Sequence, residues 1–299
     1  YYTGGTREFD GRALAAASMV RWPTPEVVAE VPGPVAGRIA RLPDGRLLYG
    51  RLGENGTSDL VTWDPAHAAV PPEPVYGLNS PANDLAPAVG ADGRIWFASD
   101  REGGAGGYDL WVAPRLQAAA SEVAPVPATR TALDETDPAP NPGGTDLVFV
   151  RSDRRNDGGN DGVLFRWRLG DAIDPAPLFA PEPRRGVRSI QRDPVFAPDG
   201  AALWFAQKDP GQRLGLRRAS LHNGTFDEPL ARGGEWATGE LRSPAPSADG
   251  RALGVWSPKG QASAVDLWYE AHAQAVYPWW PGQRWLEWIL LAVIAASGV

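Results

Sequence analysis

Short apolar runs recur along most of the chain, and glycine, proline or polar residues bound each of them. Examples are Arg94-Ile-Trp-Phe97, Ala202-Leu-Trp-Phe205 and Tyr108-Asp-Leu-Trp-Val112. Runs this short and this rich in Leu, Val, Trp and Phe predict β-strands, because a stable helix needs a longer segment. The pattern therefore predicts an all-β protein.

An eight-residue frame that ends in glycine precedes five of these runs. The frames are Arg38–Gly45, Ala86–Gly93, Asp137–Gly144, Asp193–Gly200 and Ser243–Gly250. The final Asp-Gly or Gly-Gly supplies the positive φ that a tight hairpin requires, so each frame predicts a chain reversal between two strands. The frames recur about every 50 residues, which is the spacing of four-stranded β-propeller blades.

The predicted fold is a β-propeller of five or six four-stranded blades, followed by a membrane-associated helix. The propeller is predicted over residues 1–275, with repeats near residues 34–79, 80–130, 131–186, 187–238 and 239–275. Residues 1–33 contain closing strands, among them Glu26–Val31, that pair with the last repeat, or else they form part of a sixth blade. Closure by a terminal strand would remove exposed sheet edges.

Three motifs give the repeats a family likeness. They are the x-Pro-x-x-x-x-Asp-Gly frame, Ser99-Asp-Arg101 with Ser152-Asp-Arg154, and Tyr108-Asp-Leu-Trp111. These motifs resemble the WD40-like (PD40) repeat of TolB-type β-propellers, and the resemblance covers roughly residues 34–271. The first repeat departs from it, with Ile39 in place of proline. The resemblance implies a protein-binding propeller on the periplasmic side of a bacterial inner membrane.

The last segment, residues 276–299, differs from the repeats because aromatic residues crowd its start and Ile289–Val299 carries no charge. A helix over Pro281–Val299 would be about 28 Å long, close to the hydrocarbon thickness of a bilayer. Trp and Tyr favour the headgroup region, and long charged side chains can reach it. We therefore predict a membrane anchor; a buried helix or strand that plugs the propeller is the alternative. The predicted interface residues are Tyr277, Trp279, Trp280, Arg284, Trp285 and Trp288.

Composition narrows the possible chemistry. The net charge of −7 argues against a nucleic-acid binder, which needs a basic face. The absence of cysteine excludes disulfides, thiolate metal sites and cysteine nucleophiles. The histidines His67, His222 and His272 fall in different repeats, which disfavours a histidine metal site. No Gly-x-Ser-x-Gly elbow, P-loop or dinucleotide fingerprint occurs, so we predict a protein that is not an enzyme and has no cofactor.

Two glycine-rich segments suggest ligands but are interpreted as loop tips. Gly103-Gly-Ala-Gly-Gly107 falls between two predicted strands and not before a helix, unlike a phosphate-binding loop. Asn156–Gly162 is acidic, yet its spacing does not match an EF-hand calcium loop.

A basic stretch leads into the fourth repeat and is the candidate partner-binding site. On an acidic protein it could meet an acidic protein surface or lipid headgroups, and solvated loop charges are the plainer interpretation. Its residues are Arg184, Arg185, Arg188 and Arg192.

Two hypotheses for function follow. The first is a membrane-anchored propeller that contacts membrane lipid and other protein subunits of a bacterial complex, which could be a transport, envelope or energy-transducing complex, including a photosynthetic one. The second is a ligand-sensing or enzymatic propeller whose site lies at the central channel, with Asp137 and Asp193 as equivalent carboxylates. We favour a structural role for this pair, in which the carboxylates brace adjacent blades through backbone hydrogen bonds.

Overall fold

The computed structural model describes residues 19–21, 26–153, 162–179, 189–231, 242–247, 252–258, 266–272 and 274–276. The chain divides into two compact units, one formed by Thr24–Ala271 and one by the terminal segments Tyr1–Pro23 and His272–Val299. The predicted helix over Pro281–Val299 lies outside the described residues. So do the predicted interface residues Tyr277, Trp279, Trp280, Arg284, Trp285 and Trp288, and the acidic loop from Asn156 to Asp161.

The described residues form 23 strands, which we number β1 to β23. The first two are β1 (Met19–Arg21) and β2 (Glu26–Val31). Then follow β3 (Val35–Arg41), β4 (Leu47–Leu52), β5 (Ser58–Trp63), β6 (Glu73–Pro74), β7 (Asp84–Val89), β8 (Ile95–Ser99), β9 (Asp109–Ala113) and β10 (Ala124–Pro125). The middle strands are β11 (Asp134–Pro140), β12 (Asp146–Ser152), β13 (Val163–Arg168), β14 (Ala176–Pro177), β15 (Ile190–Phe196), β16 (Ala202–Lys208), β17 (Gly215–His222), β18 (Thr225–Phe226) and β19 (Leu230–Ala231). The last are β20 (Arg242–Pro246), β21 (Ala252–Pro258), β22 (Asp266–His272) and β23 (Gln274–Val276).

Most strands pair with the next strand in sequence, which gives antiparallel sheets. Sheet 1 has the order β3-β4-β5-β6, sheet 2 the order β7-β8-β9-β10, and sheet 3 the order β11-β12-β13-β14. Sheet 4 contains β15-β16-β17, with β18 and β19 both paired with β17. Sheet 5 has the order β20-β21-β22-β2, and β1 pairs separately with β23.

An N-terminal strand completes the last sheet. In the antiparallel register of β2 and β22, Glu30 lies opposite Leu267 and Val31 lies opposite Asp266. This is the first of the two arrangements that the sequence leaves open. The outer edge of sheet 5 is thus made from the beginning of the chain.

The first strands of the five sheets surround a common axis. Strand β3 packs against β7, β7 against β11, β11 against β15, and β15 against β20. Strand β20 then packs against β3, so the circle is closed within the described residues. A closed circle of four-stranded antiparallel sheets is a β-propeller. The all-β propeller predicted from the frames is confirmed.

The second strands each provide a large, fully buried aromatic side chain in sheets 1 to 4. Tyr49, Phe97, Phe149 and Phe205 occupy equivalent positions in sheets 1 to 4 and are 0% exposed. Each belongs to the apolar run that directly follows a frame. Full burial of one such side chain contributes about 1.5–3 kcal/mol to stability, so these runs form much of the core between sheets.

The turns agree with the frames. The final glycines Gly45, Gly93, Gly144 and Gly200 all have positive φ, between 68° and 93°. Asn223 and Gly224 also have positive φ, 49° and 81°, and they connect β17 to β18 as a two-residue hairpin turn.

Helical structure in the described part of the chain consists of three short 3-10 helices, Pro65–His67, Ala120–Glu122 and Pro127–Thr129. None of the helices there has the length and hydrophobicity to cross a bilayer.

Candidate functional site at the ring axis

Each innermost strand has a bulge at the first residue of its frame. The ladder register shifts there in all five sheets. Ala86, Asp137, Asp193 and Ser243 take φ between 47° and 52°, a left-handed conformation that few non-glycine residues adopt. In sheet 1 the strand carries one additional residue, and Gly37 takes the positive φ (78°) in front of Arg38. The bulges turn this position of every sheet out of its ladder.

Two aspartates at these bulges connect neighbouring sheets. A carboxylate oxygen of Asp137 accepts a hydrogen bond from the backbone N–H of Asp193 at 3.4 Å. A carboxylate oxygen of Asp193 in turn accepts from the N–H of Ser243 at 3.1 Å. Sheets 3, 4 and 5 are thus joined in series at their innermost strands. The bracing role predicted for the aspartates is confirmed.

Arg38 extends from sheet 1 across the axis. Its Nη1 donates to the carbonyl oxygen of Pro138 at 2.8 Å and to that of Pro194 at 2.6 Å. These prolines belong to sheets 3 and 4, the two sheets that do not adjoin sheet 1 in the ring. The side chain therefore spans the centre of the propeller and is 1% exposed.

The buried positive charge of Arg38 lies near the carboxylates of Asp137 and Asp193. Burial lowers the pKa of Arg38, and the carboxylates of Asp137 and Asp193 oppose this shift. The Nε atom of Arg38 is buried and has no hydrogen-bond partner among the described residues. One guanidinium and two carboxylates thus lie together at the centre of the ring. Sequence reasoning missed Arg38, although a charged residue behind Gly37 in the first frame was a usable signal.

Two arginines at different positions of their sheets, Arg101 and Arg151, pair with buried carboxyl groups in sheets 2 and 3. Arg101, from the Ser-Asp-Arg motif, pairs with the buried Asp84 and lies over the rings of Phe97 and Trp111, 4.9 Å and 5.1 Å from their centroids. In sheet 3, Arg151 pairs with the buried Glu135 and lies 4.5 Å from the ring centroid of Phe165. Such cation–aromatic contacts contribute about 0.5–2 kcal/mol each.

A groove of about 250 Å³ lies between the rims of sheets 1 and 2. Its lining combines charged and polar side chains, Arg46, Glu73 and Gln117, with the 82% exposed Tyr76. Oδ2 of Asp44 accepts from Nε of Arg46 at 2.9 Å and lies 2.8 Å from its Nη2, so the Arg46 side chain is held in place at the edge of the groove. In the part of the chain that the structure describes, no group of three or more His, Asp or Glu side chains is placed to hold a metal ion.

Of the predicted basic stretch, the structure describes Arg192 alone, and Arg184, Arg185 and Arg188 lie outside the described residues. Arg192 lies in the innermost strand β15, one residue before the bulge, and is partly buried. It therefore lies in a strand and not in a surface loop. The glycine-rich segment Gly103–Gly107 forms the connection between β8 and β9, as the sequence predicts.

No protein-family model matches the chain, and no curated protein matches its sequence. Solved structures do match its shape. TolB from Acinetobacter baumannii matches with a TM-score of 0.49 and 14% identity, over 83% of this chain and 56% of that one. A putative TolB from Agrobacterium tumefaciens matches with a TM-score of 0.51 and 18% identity, over 79% and 74%. The catalytic domain of an α-L-arabinofuranosidase from Coprinopsis cinerea matches with a TM-score of 0.54 and 11% identity, over 87% and 99%.

The two matches with a TM-score above 0.5 agree with the closed ring. The chain has a β-propeller fold. At such identities the likeness concerns the fold alone, and the matched structures include both TolB proteins and the catalytic domain of an enzyme. This chain also spans little more than half of the Acinetobacter TolB, 56% of its length.

Proposed function

We propose that this chain is a non-enzymatic propeller that binds other proteins as a subunit of a bacterial membrane complex. In this proposal five blades of the WD40-like, TolB type form the ring, and β2 closes it without a sixth blade. The Trp-rich segment 276–299 anchors the chain to the inner membrane, with the ring on the periplasmic side. The complex belongs to transport, envelope or energy-transducing machinery.

The axial network of Arg38, Asp137 and Asp193 is the observation that carries the proposal. A catalytic or sensing propeller of the rival kind would present carboxylates at the channel to a bound molecule. A general acid or base must lie within hydrogen-bond reach of its substrate. Asp137 and Asp193 instead accept hydrogen bonds from the next sheet and neutralise Arg38. This arrangement supports a rigid interaction module more than a reaction site.

The braced ring also suits a binding role. Rigid scaffolds that carry loops at their ends are a common basis for recognition, because the loops vary while the scaffold holds them in place. The hairpin tips between the second and third strands, Gly53–Thr57 and Asp100–Tyr108, lie at one end of sheets 1 and 2. We assign partner binding to such loops and to the basic stretch with Arg184, Arg185 and Arg188.

The test is crosslinking in intact native membranes, followed by identification of the proteins attached to the chain. We expect a stoichiometric protein partner with the unaltered chain. The triple variant Arg184→Ala, Arg185→Ala and Arg188→Ala should lose most of that crosslink. Arg115→Ala, which removes an exposed arginine from the rim of sheet 2, is the matched control and should keep it.

Two outcomes would contradict the proposal. One is a chain that leaves the membrane fraction as a monomer with no attached protein. The other is binding of a small molecule that is lost when Asp137 or Asp193 is replaced by Asn in a folded ring, since this would place a ligand site at the axis.

A further inference from the structure

Two buried carboxyl groups meet at the boundary between sheets 2 and 3, beneath the glycine-rich connection. Asp109 begins β9 in sheet 2, and Glu135 is the second residue of β11 in sheet 3. Both are 0% exposed. Isolated ionised carboxylates are rarely buried, so the groups around this pair decide its charge.

Asp109 is held by the connection that covers it. Its Oδ2 accepts a hydrogen bond from the N–H of Ala105 at 2.7 Å. Its Oδ1 is buried and accepts no hydrogen bond among the described residues. Burial raises the pKa of Asp109 above its ordinary value.

Glu135 has one fully paired oxygen and one unpaired oxygen. Its Oε1 accepts from the Thr131 hydroxyl at 2.6 Å and from Nε of Arg151 at 2.7 Å. Its Oε2 is buried and has no partner within the described part of the chain. An unpaired buried oxygen costs less free energy when the carboxyl group is neutral.

The same region fixes the glycine-rich connection to sheet 3. A carboxylate oxygen of Asp134 accepts from the N–H of Tyr108 at 2.8 Å, and the N–H of Glu135 donates to the carbonyl oxygen of Tyr108 at 2.7 Å. A Cβ on Gly104 would collide with the Asp109 carboxylate, and one on Gly107 with that of Asp134. The connection can therefore not stay in place if this boundary opens.

The charges around Glu135 come from several of the strands packed against β11. Arg151 favours its ionisation and Asp109 opposes it. Asp84 on β7 and Asp146 on β12 are each paired with an arginine of their own, and β8 contributes no charged side chain. The remaining charged groups are Asp134 and Asp137 on β11, Arg192 and Asp193 on β15, and Arg130 in the preceding connection.

We propose that Glu135 is the proton-binding group of a joint between sheets 2 and 3, and that its ionisation loosens the connection Asp100–Tyr108. The neutral acid adds no charge beside the carboxyl groups of Asp109 and Asp134 beneath the glycines, to which the Ala105 and Tyr108 amides are bound. The ionised acid adds a half-paired anion to the same buried boundary. Solvation of that anion requires the boundary to open.

The stability of the closed joint depends on pH in a definite direction, because Glu135 is buried in the closed joint and solvated in the open one. Burial raises the pKa of Glu135 to about 7 in the folded ring, while an opened boundary returns it to that of an ordinary glutamate. The closed joint is therefore favoured most at acidic pH, and this advantage is lost as the pH rises toward 7. Above about pH 7 both states are ionised and the dependence levels off. The joint consists of contacts within Thr24–Ala271 alone and does not depend on membrane attachment.

The experiment is hydrogen–deuterium exchange of the full chain between pH 5 and 8, corrected for the intrinsic pH dependence of exchange. We expect protection of the Ala105, Tyr108 and Glu135 amides to fall by up to about tenfold per pH unit until pH 7, the limit for one linked proton. The corresponding hairpin tip of sheet 1, Gly53–Thr57, should not change. Glu135→Gln keeps the shape and cannot ionise, so its protection should be independent of pH.

Glu122→Gln is the matched control, because Glu122 lies at the exposed rim of sheet 2 and should leave the wild-type pH response intact. The three histidines are present in all variants. A wild-type profile without pH dependence, or the same profile in Glu135→Gln, would overturn the proposal. Should Glu135→Gln not fold, the carboxyl ¹³C resonance of Glu135 in the unaltered chain decides. Titration near pH 7 supports the joint and titration near 4.5 refutes it.

Discussion

At the scale of single residues, a few buried charges connect sheets that share no hydrogen-bonded strands. Arg38 reaches the carbonyls of Pro138 and Pro194 from the opposite side of the ring. Removal of one partner from a buried charge network usually costs more than the network contributed, because the remaining charges stay buried without compensation. The axis is therefore the part of the ring most sensitive to one substitution.

Arg38→Met should lower the free energy of unfolding by about 3–5 kcal/mol, since it fills the space but leaves Asp137 and Asp193 without their cation. Urea denaturation at pH 7 measures this. Arg46→Met removes a half-exposed arginine of the same strand pair and should cost less than about 1 kcal/mol. Equal effects of the two substitutions would show that the axial contacts contribute little.

The roles of residues that recur at fixed positions of the repeat could be predicted from the sequence. The frame glycines and the bracing aspartates recur at fixed positions, so turn chemistry and neighbour contacts followed from the sequence. Arg38 and Glu135 were not predictable, because their roles depend on distant chain segments. Arg38 needs two sheets about 100 and 156 residues away, and the ionisation of Glu135 depends on burial beneath a different blade.

At the scale of strands and sheets, the inner three strands of a blade differ from its outer strand in length and in hydrophobic pattern. The inner strands have five to eight residues and strong apolar patterns, and the sequence indicated most of them. The outer strands β6, β10 and β14 have two residues each and end in proline. Such strands have almost no periodicity to detect, and proline at the rim limits further pairing.

Closure by β2 can be tested with a disulfide, since the chain has no cysteine. Glu30 and Leu267 are directly opposed in an antiparallel pair, where Cα atoms lie about 4.5–5.5 Å apart and a disulfide fits. Glu30→Cys with Leu267→Cys should oxidise fully and stabilise the ring by about 3–5 kcal/mol, because the crosslink closes a very long loop. Mass spectrometry and thermal unfolding measure the two effects.

Glu30→Cys with Asp266→Cys is the control. Asp266 is opposite Val31, so its side chain projects from the other face of the sheet and should not form the bond. Formation of the control disulfide alone would mean a different register, and formation of neither would place β2 outside sheet 5.

At the scale of the whole molecule, the proposed attachment to a membrane depends on the segment beyond Val276. Its aromatic residues and uncharged end are the part of the sequence best suited to an interface. A chain that ends at Val276 should keep the thermal stability of the ring but lose about 90% of its flotation with anionic vesicles.

The double variant Trp279→Ala with Trp280→Ala should give an intermediate loss. Trp96→Ala, which removes a tryptophan of the ring, is the control and should not affect flotation of folded protein. Undiminished flotation of the shortened chain would assign membrane contact to another part of the molecule.

The pairing of β2 with β22 has a consequence for the ribosome-bound chain. The strand Glu26–Val31 is synthesised before its partner, which emerges some 240 residues later. Until then Val27, Val28 and the unpaired edge of β2 are exposed and can pair with other chains. Contacts between residues so far apart in sequence also form slowly. The ring therefore cannot be completed until β22 has been synthesised, and we expect a nascent chain stalled before Asp266 to aggregate more readily than the completed ring.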